Sequence, residues 1–122
     1  MEFQVASLVM TCAGTALGLR FIFAGEGLLE EWDVKPSPGS LVISRRIGAI
    51  YLGLALTFFL ERNAPPSELR SAICLGTAAI SAFLAACGLV EYGARRVGPG
   101  IFRSVIAEVV GAAGFIWVWS RA

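Results

Sequence analysis

Residues 71–90, SAICLGTAAISAFLAACGLV, run for twenty positions without a charged side chain. About 20 apolar residues in a helix cross the hydrocarbon core of a bilayer, so this stretch reads as a membrane span. Ser67 stands just ahead of it, behind Pro65-Pro66, and supplies the N-cap of a helix over about 67–90. Three runs of similar character accompany it, at about 3–25, 41–60 and 101–119. The first closes at Gly25-Glu26-Gly27, the second is followed by Glu61-Arg62-Asn63, and the fourth opens after Gly98-Pro99-Gly100. Strands are disfavoured, because an open sheet edge leaves backbone groups unsatisfied in lipid. The expected fold is all-α: an integral membrane bundle of four transmembrane helices in antiparallel hairpins. Both chain ends lie on the same side, and residues 1–122 form one domain.

Composition agrees with the spans. Of 122 residues, 57% are hydrophobic and only 16% charged, with a formal net charge of +1 and mean hydropathy +0.74. A soluble domain carries about 25% charged residues, so this chain has too few to cover a water-facing surface. Glu2 stands where a signal peptide has basic residues, and the first apolar run is long enough to span. That helix therefore reads as a retained span.

The chain contains no histidine, which removes imidazole ligation and the usual proton carrier near neutral pH. Cys12, Cys74 and Cys87 form no C-x-x-C pair and read as small buried residues. No metal-ligand spacing, phosphate loop, nucleophile elbow or basic aromatic-interleaved surface is present. The expectation is accordingly no metal, no cofactor, no nucleic acid and, on balance, no enzyme.

Leu28–Ser40 is the longest connection. Its first part, Leu28-Leu29-Glu30-Glu31-Trp32, suits one or two turns of interfacial helix with Trp32 at headgroup level, and Pro36-Ser37-Pro38-Gly39 then breaks the chain. Basic residues set the orientation. Lys35, Arg45, Arg46, Arg95, Arg96 and Arg103 fall on the face of the first and third connections, against Arg62, Arg70 and Arg121 on the other. The positive-inside rule places the first face in the cytoplasm, with both termini outside, in a bacterial inner membrane.

Polar residues that enter the spans gather at one end. Arg20 lies late in the first helix, Arg45 and Arg46 early in the second, Glu91 at the close of the third and Glu108 about two turns into the fourth. Glu26 sits just beyond the first helix on the same side. Alternating helix direction would bring these into one charged cluster. Arg20 shares a helical face with Ala13, Ala16, Leu17 and Ala24, and Glu108 with Gly111, Ala112 and Phe115. Small residues line helix interfaces, so both charges are expected to point into protein. An ionised group at bilayer depth costs about 2.5–3.5 kcal/mol on insertion scales, and a pair between Arg20 and Glu108, with Arg45 or Arg46 as second basic partner, would offset much of it. The cluster reads as an ion pair fixing register, or as a site for a small anion, lipid headgroup or polar substrate. Snorkelling also suits Arg45, Arg46 and Arg103.

Close-approach stripes recur at Gly14 and Gly18, at Gly48, Leu52 and Ala55, and at Ala78, Ala82 and Ala86. They fit packing within the bundle, or against another subunit. Trp32, Trp117 and Trp119 fit aromatic belts, and Phe21, Phe23, Phe58 and Phe59 read as lipid-facing bulk. No internal repeat supports an inverted-repeat transporter in one chain.

Arg20-Phe21-Ile22-Phe23-Ala24-Gly25 and Arg45-x-x-Gly48-x-x-Tyr51-Leu52-Gly53 resemble the DoxX-like group of small four-helix bacterial membrane proteins. That group usually places a basic residue soon after the helix-1 glycine, whereas Glu26 follows Gly25 here. Some members are membrane subunits of quinone-coupled sulfur oxidation, so the resemblance implies at most a similar subunit role and transfers no catalytic residue. The leading expectation is a non-catalytic subunit, partnered in the bilayer by other membrane proteins or by copies of itself. The alternatives are a small oligomeric transporter or channel for an anion or proton-coupled solute, and an enzyme acting on a lipid or quinone.

Overall fold

The computed structural model describes residues 1–121, and all regular structure among them is helical. The elements are α1 (Glu2–Phe23), α2 (Gly25–Glu31), α3 (Pro38–Glu61), α4 (Glu68–Gly93) and α5 (Ile101–Ser120). Helices α1, α3, α4 and α5 are long and apolar enough to cross a membrane, with mean hydropathy between 1.5 and 2.2 over their best windows. At 1.5 Å per residue the shortest, with 20 residues, spans about 30 Å, the thickness of a hydrocarbon core. The chain is thus a multi-pass membrane protein by length and composition. It divides into two compact units, one built from α1–α3 and the other from α4 and α5.

In the first unit α1 and α3 run antiparallel. Gln4 Nε2 donates to Asn63 Oδ1 at one end (3.0 Å), and Ser44 Oγ donates to the Phe21 carbonyl at the other (2.6 Å). Between these points the backbones touch. A Cβ on Gly48 would lie 2.6 Å from the Gly18 carbonyl oxygen, so only glycine permits this crossing. The buried stripe of α1 is Phe3, Ser7, Gly14, Gly18 and Phe21, and that of α3 is Ser44, Gly48, Ala55 and Phe58. The glycine stripes expected from sequence therefore do pack helix on helix. The assignment of Phe21 and Phe58 to lipid is corrected, since both are buried, Phe21 stacked on Tyr51 with ring centroids 5.5 Å apart. Phe23 and Phe59 are exposed as expected.

The boundaries differ from expectation at the close of α1, at the start of α3 and at the end of α4, which runs to Gly93, three residues past the expected 90. Helix α1 stops before Gly25, at Ala24, whose dihedrals (φ −133°, ψ 34°) leave the helical region while its N–H still bonds to the Arg20 carbonyl at 2.8 Å. Gly25-Glu26-Gly27 then open α2 instead of ending α1. Helix α3 starts at Pro38, three residues before the expected 41. Ser37 caps it, accepting from the Ser40 N–H while the Ser40 hydroxyl accepts from the Ser37 N–H. Proline at the first position of a helix lacks only a donor that has no partner there anyway, so Pro38-Gly39 begin a helix and do not interrupt one.

In the second unit α4 and α5 are also antiparallel. Gly88 faces Val105 and Ile101, Ser81 faces Gly111, and the Tyr92 and Phe102 rings meet edge to face at 4.7 Å. Ser67 caps α4 as expected, accepting from the Arg70 N–H at 3.1 Å. The buried stripe of α4 is Cys74, Ala78, Ala85 and Gly88. Ala82 and Ala86 are exposed, so that part of the expected stripe faces outward. Of the cysteines only Cys74 is buried, as expected for all three; Cys12 and Cys87 are exposed.

Two helices end alike. After α2, Asp33 takes a left-handed conformation (φ 57°), with its N–H bonded to the Glu30 carbonyl and that of Val34 to Leu29. After α4, Arg95 does the same (φ 61°), with bonds from Arg95 to Tyr92 and from Arg96 to Glu91. Each pair of bonds satisfies carbonyls that the helix end would leave open.

Candidate functional site at the helix break

Within the first unit Arg20 has an opposite charge at hand, and within the second Glu91 has one. Arg20 sits in the last turn of α1, where the C-terminal dipole favours a cation. Its Nη2 donates to Glu31 Oε2 at 2.6 Å. The break at Ala24 makes this possible: α2 turns the chain so that a carboxylate eleven residues on meets the guanidinium. Arg20 thus finds an opposite charge in Glu31 within the first unit, whereas Glu108, the partner expected for it, lies on α5 of the second. Linear spacing gives no sign of the Arg20–Glu31 pair, because it depends on how the chain turns at Ala24.

Arg20 lies off the buried stripe by which α1 packs on α3. Its side chain is 44% exposed, and Ala13, Ala16, Leu17 and Ala24 on the same face are exposed too. The inward face of α1 is the Gly14–Gly18 stripe. Smaller residues won the inner face because the α1–α3 crossing brings backbone against backbone, which alanine cannot enter.

Glu91 lies in the last turn of α4, where the helix dipole disfavours a carboxylate. Arg96, just past the helix, reaches back and donates to both Glu91 oxygens through Nε and Nη2. This hydrogen bond and the Glu91 charge push the Arg96 guanidinium above its ordinary value. The pair is solvent-exposed, so it steadies the helix end modestly. Glu108 is half-buried on α5, sharing its side with Gly111, Ala112 and the buried Phe115 as expected. Among the described residues it makes no ion pair. Arg46 is exposed on α3.

Arg45 differs from the others. With Glu26 it lines a cleft of about 250 Å³ at the α1–α2 break, walled by residues 21–25 and Leu41. At its wall, Gly25 lies so close to α3 that a Cβ there would come 2.5 Å from Ser44 Oγ. Behind it, Phe21 carries the Trp32 ring edge-on at 6.4 Å, and Trp32 Nε1 is buried without an acceptor. Trp32 therefore packs against the first hairpin through its ring. The sequence placed Arg45 and Glu26 on one side of the membrane, but not the cleft that they share, which lies at the one-residue break.

Among the described residues, no three metal-ligating side chains converge. No family model matches the chain, and neither a curated protein nor a solved structure proves similar to it.

Proposed function

We propose that this chain is a non-catalytic membrane subunit that packs against further transmembrane helices, in a larger bacterial inner-membrane assembly or as a homo-oligomer. The observation that carries this reading is the outward face of α1. Ala13, Ala16, Leu17 and Ala24 leave a shallow surface there, and the Arg20–Glu31 pair stands at its end. Lipid gains little from small side chains, whereas a neighbouring helix can approach them closely. The Arg20 guanidinium, in the last turn of a membrane-crossing helix, is likewise better covered by protein than by acyl chains. The proposal includes the orientation drawn from basic residues, with Lys35, Arg95 and Arg96 in the cytoplasm and both chain ends outside. It also includes kinship with the DoxX-like group, resting on the residues around Gly25 and Gly48.

Mild extraction from native membranes, followed by mass determination of the intact complex, tests it. The expected result is a particle containing extra copies or stoichiometric partner proteins, shifted toward the single chain by Ala16→Leu. A lone chain in native extract would overturn the proposal.

A second reading is favoured by Glu108, a half-buried carboxyl group without an ion pair on a membrane-crossing helix. Intramembrane acids of this kind mark ion pathways. Under it, purified protein in liposomes carries a proton-coupled or anion flux that Glu108→Gln abolishes.

A further inference from the structure

We propose that the cleft at the α1–α2 break holds the headgroup of a zwitterionic phospholipid with a primary ammonium, its phosphate against Arg45 and its ammonium against Glu26. Both side chains line the same cleft and are exposed, and among the described residues neither makes an ion pair. Two opposite charges that share a cleft without neutralising each other suit a ligand bearing both signs. A free phosphate would meet Arg45 favourably but also the Glu26 carboxylate. A simple cation would meet the reverse.

Depth and shape agree with a lipid. Arg45 lies seven residues from the start of α3, about 10 Å along its axis. The helix, at 24 residues or about 36 Å, exceeds the ~30 Å hydrocarbon core. An arginine at that depth reaches the phosphate layer by extending its side chain outward, and guanidinium–phosphate hydrogen bonds are among the strong charge-assisted kind. The cleft volume of about 250 Å³ equals that of about eight waters, enough for a headgroup and too little for acyl chains. Those chains have an apolar wall to follow, since Phe23 at the cleft edge is 81% exposed.

The test is native mass spectrometry of the full chain in detergent micelles supplied with dioleoyl phosphatidylethanolamine, phosphatidylglycerol or phosphatidylcholine. The wild type is expected to retain phosphatidylethanolamine about fivefold better than phosphatidylglycerol, the scale of one exposed ion pair, and by a smaller factor better than phosphatidylcholine, whose cation remains but cannot hydrogen-bond Glu26. Phosphatidylglycerol lacks the cation, and phosphatidylcholine lacks N–H donors. Glu26→Gln should erase the preference over phosphatidylglycerol, Arg45→Gln should weaken all three lipids, and Arg45→Lys should restore most of the loss. Helical circular dichroism confirms that each variant is folded. Equal retention of the three lipids by the wild type, or unchanged selectivity in Glu26→Gln, would overturn the assignment. Soluble phosphoethanolamine separates the sources: it should bind far more weakly than the lipid, and equal binding would show a water-soluble ligand and overturn the lipid assignment.

Discussion

Ser44 shows how one hydroxyl can hold a helix pair together. Its Oγ donates to the Phe21 carbonyl, in the last turn of α1 where carbonyls lack helical partners. Ser44→Ala leaves that buried carbonyl unsatisfied and should cost about 1 kcal/mol, read as a lowered thermal midpoint in detergent; Ser44→Thr, which keeps the hydroxyl, should lose less. Arg95 presents the opposite case. It is a non-glycine residue in the left-handed region (φ 61°), a conformation that costs an L-residue about 1 kcal/mol. Arg95→Gly should therefore stabilise the α4 end by about that amount, again measured by thermal unfolding. Single residues were unevenly legible. Ser67 announced itself as a cap by following two prolines and preceding a long apolar run. Arg20 was harder to place, because the alanines around it form a second small-residue face beside the glycines that pack against α3.

At the level of elements, the sequence shows the four long helices clearly, because hydropathy over about 20 residues averages out local exceptions. Their ends were harder. Pro38-Gly39 reads as a breaker by composition, yet a serine before proline is a helix start when the next turn closes a capping box. The break at Ala24 was displaced by one residue and α2 gained a turn, since two glycines permit a turn without dictating which side of it is helical. That single-residue shift decides the site: the cleft lies at it, and it delivers Glu31 to Arg20, neither of which spacing reveals. The α1–α3 seam predicts its own fragility. Gly48→Val would press a branched side chain onto the Gly18 carbonyl, Ile22 and Phe21 and should destabilise by about 1–3 kcal/mol. Gly53→Val, on the same helix but in open space, should be nearly neutral in the same thermal assay.

Taken as a whole, the molecule keeps little of its apolar surface to itself. Only 22% of each spanning window is buried inside the protein, and exposed large side chains such as Ile43, Ile50, Leu69, Phe83 and Val110 stand along all four long helices. In water that surface would drive aggregation; in a bilayer it is the ordinary lipid-facing or partner-facing side of a span. The charges follow the same division, with Arg20 and Glu91 each taken by a nearby opposite charge. Four crossings have a strict consequence: successive connections must open on alternate sides of the membrane. Single cysteines placed at Lys35, Asn63 and Arg95 in a background with Cys12, Cys74 and Cys87 replaced by alanine report this in intact cells. With a membrane-impermeant maleimide, four crossings predict that Lys35→Cys and Arg95→Cys label from one side and Asn63→Cys from the other. Labelling of all three from the same side would contradict the four-span fold.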